Sequence, residues 1–431
     1  MKYDDALSFI HSLGRGYGTA THDRMRILLF LLSDPQKQLP CVHITGTNGK
    51  GSVTAYLSAL FTYAGYRTGS FTSPFITQFR ERIQLDGKMI PKGELAALVD
   101  EIRPVVERMT QQGEAPTQFE FVTALALLWF ARKKCQLVLL EAGIGGLLDA
   151  TNCIPKPLAV VLTSIGYDHT AQLGSSLEQI TLQKCGLIHD GCAVICAPGQ
   201  DATVLGVIQN QCETKNSHLF VPELEQSLIC CQSLKGTTLT YKGLNFFVPL
   251  LGDHQILNVL TAVETAFLLG QQGFPITEIQ ATQGVAKARL PARMELLRQD
   301  PVVIVDGGHN PAGLAALQQS LVTLGLRRIT AVVGMLADKD CAAALEQIAP
   351  FVGRAIAVAP SNPRALPAQD MAKLLGRFCP CDVADSIEHA LRLALQDPCD
   401  GVVVFGSLFL AAQARELLLT RKKTAAEGEK A

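Results

Sequence analysis

HITGTNGKGS, residues His43 to Ser52, decides how the rest of the chain is read. It begins inside CVHIT (Cys41 to Thr45), whose apolar and β-branched residues predict a strand, and it runs into a helix opening near Ser52. Along that helix Val53, Tyr56, Leu57, Leu60, Phe61 and Ala64 share one face, and Gly65 marks the stop. Between a strand and a helix, glycines let backbone N–H groups turn inward around phosphate oxygens. The helix N-terminus adds a partial positive charge and a lysine adds a full one. Gly46, Gly49 and Gly51 serve the turn, with Thr47 and Asn48 inside it. Lys50 is placed for the β- and γ-phosphates of ATP and Ser52 for Mg2+. The spacing differs from GxxxxGK[ST]: two residues separate Gly46 from Gly49, and Gly51 stands between Lys50 and Ser52. The alternative, a plain glycine turn, leaves the placement of both lysine and hydroxyl unexplained.

Outward from this loop, short β-rich runs alternate with helical stretches, the pattern of a parallel sheet covered by helices. Further strands are expected at 137–140, 159–163 and 193–197, and a hairpin-like stretch over 229–249. After Leu290-Pro291-Ala292-Arg293 a new alternation begins: strands at 302–306, 329–334, 355–360 and 401–406, with a helix from about Pro311. The expected fold is α/β, a P-loop parallel-sheet ATPase domain followed by a smaller Rossmann-like domain. The boundaries are 1–296 and 297–431, with a hinge near residue 296. The tail RKKTAAEGEKA, from Arg421, is expected to fray.

Composition excludes several classes. The 38 Lys+Arg against 39 Asp+Glu leave a net charge of −1, so no global field favours nucleic acid or a membrane surface. With 48% hydrophobic and 18% charged residues, the chain is folded around a large core rather than disordered. No apolar run reaches the roughly 18 residues of a membrane span; the longest, VTALALLWFA from Val122, runs into Arg132, Lys133 and Lys134. The start, MKYDDALSFI, is acidic where a signal peptide is basic, and a cytoplasmic protein is expected. Thirteen scattered cysteines without a CxxC pair are expected to be reduced thiols.

In open parallel sheets, ligands bind outside the carboxyl ends of the strands. Glu141, closing LVLLE, is a candidate magnesium ligand there, with a capping role as the alternative. Asp149, Thr151 and Asn152 in LLDATN lie at one sheet edge, and His169 in SIGYDHT takes an equivalent strand-end position, as ligand or as structural histidine. The second domain offers Asp306, His309 and Asn310 in VDGGHNP, followed by LADKD (Leu336 to Asp340) and GSL (Gly406 to Leu408). Asp306 suits ribose hydroxyls, while His309 and Asn310 suit a transferring phosphoryl group. One domain would then grip the triphosphate while the other closes on it.

Together these motifs, with FTSP (Phe71 to Pro74), LQKCGLI (Leu182 to Ile188), GDHQILN (Gly252 to Asn258) and LPARME, resemble the folylpolyglutamate synthase/dihydrofolate synthase family of the Mur ligase superfamily. The resemblance implies an amino-terminal Mur-ligase-like ATP-binding domain and a carboxy-terminal glutamate-ligase domain. It implies an ATP-dependent ligase adding L-glutamate to folate or dihydropteroate through an acyl phosphate. By the same resemblance Ser52, Ser73, Glu141 and His169 are metal ligands, and Lys184 is a lysine carried as a carbamate, with an unmodified cleft lysine as the alternative. Gln255 and Asn258 match adenine contacts, while Arg293, Asp306 and His309 match contacts with nucleotide and phosphoryl groups. Lys50, Lys184, Arg293 and His309 are the catalytic candidates. Asp149, Thr151, Phe75 and Ser407 fall on the substrate side. A monovalent cation and a monomeric state are further implications.

Phe75, Leu147, Tyr167, Leu290, Ala292 and Gly308 depart from the family pattern without removing a proposed metal or phosphate ligand. Phe75 and Leu147 bear on which pterin acceptor is used. A peptidoglycan-precursor ligase would carry an extra amino-terminal domain, for which the 45 residues before Gly46 leave no room. A P-loop kinase or GTPase leaves the HNP cluster unexplained, and a silent binding module leaves every charged group unused. Another amide ligase of the superfamily, with a different carboxylate acceptor, is the remaining alternative.

Overall fold

The computed structural model describes residues 1–14 and 22–428, with side chains as far as residue 420. The first sheet contains β1 (Cys41–Thr45), β2 (Thr68–Phe71), β3 (Ile83–Leu85), β4 (Lys88–Met89), β5 (Leu137–Glu141), β6 (Ala159–Leu162), β7 (Ala193–Cys196) and β8 (His218–Phe220). Their order is β4-β3-β2-β5-β1-β6-β7-β8. From β2 to β8 neighbouring strands are parallel, and β3 and β4 add an antiparallel edge. Every residue of β1, β5 and β6 is buried, which is why these strands read as unbroken apolar runs rather than alternating ones. The chain leaves β1 toward β2 on one side and later, from β5, crosses to β6 on the other. β1 is therefore the switch point of the sheet, and the loop after it lies where ligands bind in such folds.

The helix after that loop spans Lys50–Tyr63, beginning two residues before the expected Ser52. It ends at Ala64; Gly65, at φ 93°, lets the Tyr66 N–H reach the Phe61 carbonyl at 3.0 Å. Val53, Tyr56, Leu57, Leu60 and Phe61 are buried as expected, while Ala64 is half-buried. Ser52, Thr54 and Ser58 are buried too. The helix Glu278–Ala286 crosses so closely that a Cβ on Gly284 would stand 2.6 Å from Leu60 Cα. The long apolar run from Val122 belongs to the core helix Gln118–Arg132, opened by a capping box in which Thr117 and Glu120 satisfy each other's backbone N–H groups. No helix among the described residues is long and apolar enough to cross a membrane.

The hairpin-like stretch is a three-stranded sheet, β9 (Ser227–Ser233), β10 (Gly236–Tyr241) and β11 (Leu244–Val248), in the order β11-β10-β9. The third sheet contains β12 (Glu295–Gln299), β13 (Val302–Val305), β14 (Ile329–Val333), β15 (Val352–Ala357), β16 (Cys381–Val383) and β17 (Gly401–Phe405), ordered β12-β13-β17-β14-β15-β16. Only β12 runs antiparallel to its neighbour. Two compact units result. One holds Met1–Ser227, Tyr241–Phe246 and Leu257–Ala288; the other holds Leu228–Thr240, Phe247–Ile256 and the chain from Arg289 onward. All thirteen cysteines are free thiols. The last helix, Leu408–Gly428, carries most of the tail expected to fray, and residues 429–431 lie outside the described residues.

Candidate active site

The turn after β1 is held from below by the turn after β6. Thr47 and Asn48 donate their backbone N–H groups to the Ser164 carbonyl at 2.8 and 3.1 Å. The Thr47 hydroxyl donates to the Gly166 carbonyl (2.9 Å) and accepts from the Gly166 N–H (3.0 Å). This proximity explains two of the glycines. A Cβ on Gly46 would lie 1.9 Å from Thr163 Oγ1, and one on Gly49, at φ 93°, would lie 2.4 Å from Asn258 Oδ1. The same contact puts Asn258 beside the loop.

Two lysines converge on one carbonyl. Lys50 Nζ donates to the Gly46 and Thr47 carbonyls at 2.9 and 3.2 Å, and Lys184 Nζ donates to the same Gly46 carbonyl at 2.9 Å. Lys184 lies in the last turn of the helix Leu177–Cys185 and is buried. Burial first, and the Lys50 charge second, push its pKa down to about 7. The Lys50 charge beside this turn suits an anion such as a polyphosphate. Both lysines line a small cavity of about 20 Å³ together with Gly46, Thr47, Gly145, Asp168 and His169.

Glu141 is buried at the end of β5, in register with Ile44 of β1, and accepts the Ser73 backbone N–H at 3.3 Å. Ser73 Oγ accepts from Arg82 Nη2 at 3.3 Å. The buried Arg82 guanidinium packs 5.3 to 5.7 Å from the ring centres of Phe71, Phe79 and Phe119, and burial lowers its pKa to about 10 against the opposing effect of Glu141. Ser52 is buried in the first turn of its helix. His169, at φ 50°, stands before the short helix Thr170–Leu173, its Nε2 3.9 Å from Asp168 Oδ2. Among the described residues no three His, Cys, Asp or Glu side chains form a metal-binding group. Carboxylate and serine hydroxyl oxygens are hard donors of the type that Mg2+ takes, and His169 is the softer donor of the four.

A larger cavity of about 600 Å³ shares Gly143, Ile144, His169 and Leu173 with the small one and is also lined by Arg24, Ser73, Arg82, Phe119, Glu120, Leu148, Asp149 and Gln183. Glu120 is held by Arg24 through two contacts of 3.2 and 3.3 Å. Asp149 reaches the cavity while accepting from Ile144 N (2.9 Å), Thr151 N (3.0 Å) and Thr151 Oγ1 (2.6 Å). Burial raises its pKa against these donors. Thr151 is fully buried behind it and outside the lining. Phe75 packs edge-on to Phe79, 5.8 Å between centroids, one residue beyond the lining residue Pro74. Leu147 is exposed and donates its N–H to the Gln183 carbonyl at 2.7 Å; Tyr167 is also exposed. Arg24, Arg82, Phe119 and Gln183 escaped the sequence reading, because nothing in their local pattern separates them from helix-surface or core residues.

In the second unit, buried Asp306 ends β13's exit turn, accepting from Met294 N (2.8 Å) and Gly308 N (2.6 Å). His309 Nδ1 donates to the Gly307 carbonyl at 2.9 Å, which fixes the tautomer with the proton on Nδ1. Asn310 caps the helix Pro311–Thr323 by accepting Gly313 N at 2.7 Å. Arg293 is partly buried between Ala292 and Met294, both at positive φ. Gln255 is buried, its Nε2 3.1 Å from His254 Nε2. Ser407 is buried as well: its hydroxyl donates to the Gly334 carbonyl (2.9 Å) and accepts Leu410 N (3.1 Å), so here it serves the helix start.

A glycine-rich loop at a sheet's switch point, followed by a second α/β unit, is the layout onto which two Mur ligase family models map. The Mur ligase middle domain matches residues 44–266, and the Mur ligase glutamate ligase domain matches residues 292–408. The folylpolyglutamate synthase of Lacticaseibacillus casei is 35% identical, over 98% of this chain and 100% of its own length. The dihydrofolate synthase/folylpolyglutamate synthase of Bacillus subtilis is 35% identical, over 78% of this chain and 80% of its own. Mycobacterium tuberculosis folylpolyglutamate synthase, solved with ADP and AMPPCP, superposes with a TM-score of 0.85 at 30% identity, covering 92% of this chain and 95% of that one. An FPGS–AMPPCP–folate complex gives a TM-score of 0.85 at 32% identity, covering 97% and 100%. The chain belongs to the folylpolyglutamate synthase/dihydrofolate synthase family of Mur ligases.

Proposed function

We propose that this chain is an ATP-dependent ligase that joins L-glutamate to the carboxylate of a folate-type acceptor. The observation that carries the reading is the glycine turn with Lys50 on the Gly46 carbonyl, set beside the 600 Å³ cavity. A cation for a polyphosphate, Lys50, adjoins a space for an organic acid. An acceptor carboxylate oxygen attacks the γ-phosphorus, the β–γ bridging P–O bond breaks, and ADP leaves. The glutamate amine then adds to the acyl phosphate carbon, loses its proton, and inorganic phosphate departs with the C–O bond. Lys50 steadies charge on the transferring group, and the partly apolar cavity receives the acceptor. Ser52, Ser73, Glu141 and His169 would hold Mg2+, which neutralises phosphate charge when bound.

The same reading assigns residues 1–296 to ATP binding and 297–431 to glutamate ligation. Gln255 and Asn258 serve the adenine side, Arg293, Asp306 and His309 the phosphoryl group, and Phe75, Asp149, Thr151 and Ser407 the substrate side. Lys184 is proposed to carry a carbamate: with a pKa near 7 its neutral amine is populated at neutral pH, and that amine adds CO2 with release of one proton. A requirement for a monovalent cation, a monomeric state and a cytoplasmic location complete the proposal. The test is a panel of dihydropteroate and tetrahydrofolate with labelled L-glutamate and ATP. Incorporation into at least one pterin acceptor is expected; ADP formed at the same rate with and without acceptor would contradict it. For the carbamate, activity lost in Lys184→Ala should partly return with a small carboxylic acid, and an intact mass without the added CO2 together with no rescue would refute it.

A further inference from the structure

The first residue of the glycine-loop motif lines neither cavity. His43 sits in the middle of β1 with no exposed surface, flanked by buried Val42 and Ile44. Its Nε2 lies 2.7 Å from Thr151 Oγ1. The Thr151 hydroxyl has one proton, and at 2.6 Å it gives it to Asp149 Oδ1. Thr151 Oγ1 therefore accepts from His43 Nε2–H, and Nδ1 is the lone-pair nitrogen. That nitrogen is buried and has no hydrogen-bond partner. An apolar residue at this strand position would avoid the orphaned atom, so the ring's polar contact with Thr151 is what the position gains in return.

The contact leads to a wall of the larger cavity. Asp149, gripped by Thr151, accepts the Ile144 N–H at 2.9 Å and so closes the segment from Gly143 to Ala150 into a fixed loop. Gly143, Ile144, Gly146, Leu148, Asp149 and Ala150 all line that cavity, whereas His43 and Thr151 do not. Other ties hold the ends independently. Thr45 Oγ1 donates to the Gly145 carbonyl at 2.6 Å, and Asn152 Nδ2 donates to the Leu147 and Gly186 carbonyls, each at 3.1 Å. The phosphate loop has its own anchors at Ser164 and Gly166.

We propose that His43 is a positioning residue that sets acceptor binding through Thr151 and Asp149, without touching either substrate. It rests on the reading of the larger cavity as the acceptor site. His43→Leu removes the donor and keeps the bulk; His43→Gln returns an N–H near the Nε2 position. With the full-length enzyme, KM for the pterin acceptor should rise about tenfold in His43→Leu, the consequence of losing one buried hydrogen bond. KM for ATP should stay within about twofold, since Thr47 and Asn48 keep their anchors, and His43→Gln should recover most of the acceptor affinity. Thr151→Val should reproduce the loss. Hydrogen exchange provides a readout independent of catalysis: the amides of Ile144 and Thr151 should exchange faster in His43→Leu, with 46–52 unchanged. Equal rises in both KM values, or unchanged acceptor KM with unchanged exchange, would overturn the proposal. Absence of ligation by the wild-type enzyme would instead defeat the functional reading, and the exchange result would still decide whether His43 holds the loop.

Discussion

At the scale of single residues, burial lowers the pKa of Lys184 and Arg82 and raises that of Asp149, and it acts on the strand behind them as well. Burial, with a smaller effect of His189, lowers the His43 pKa from 6.5 to about 3. Between those values the unfolded chain binds a proton that the folded one does not, so the stabilisation is complete above pH 6.5 and is lost as pH falls toward 3. Roughly 2 kcal/mol should be gone by pH 5. Urea unfolding at pH 7 and pH 5 should show a smaller acid loss in His43→Gln than in wild type; equal losses would place the titration elsewhere. Lys50→Ala should remove about 3 kcal/mol or more of transition-state stabilisation, the usual result of deleting a preorganised charge. Turnover within threefold of wild type would rule out its phosphate role. Lys50, Glu141 and Asp149 were visible in the sequence as charged residues in or beside the turns that leave the predicted strands. Arg82 was not: its significance lies in Phe71, Phe79, Phe119 and Ser73, brought around it only by the fold.

At the scale of elements, the strand, loop and helix from Cys41 to Tyr63 follow closely from the sequence, since fully buried strands and a glycine stop leave strong local marks. Short edge strands left none: β4 has two residues, while β3, β8 and β16 have three each, and their partly exposed side chains show no clear alternation. The expected strand at 355–360 is displaced to Val352–Ala357, because Pro360 and the turn before it belong to the loop. The second layer over the helix Lys50–Tyr63 was also hidden, being fixed by a glycine more than two hundred residues away. Gly284→Ala tests that packing: with Leu60 Cα 2.6 Å from the new Cβ, backbone must shift. A loss of about 1 to 3 kcal/mol in denaturant unfolding is expected, whereas an unchanged midpoint would mean that the two helices separate easily.

At the scale of the whole molecule, function was legible through motif order more than through any one motif. The phosphate loop, Glu141 and His169 fall in one compact unit, and Asp306 and His309 fall in the other, each at the exit of a parallel strand. The interleaving of the units was not legible: 228–240 and 247–256 group with the later part of the chain, through contacts far apart in sequence such as Thr323 Oγ1 donating to Asp253. The account's central claim is that the acceptor's own carboxylate oxygen takes up the phosphoryl group. Turnover of a pterin acceptor labelled with oxygen-18 in its carboxylate measures this directly. One labelled oxygen should appear in each inorganic phosphate released. Unlabelled phosphate, with amide product formed at the normal rate, would contradict the acyl phosphate route.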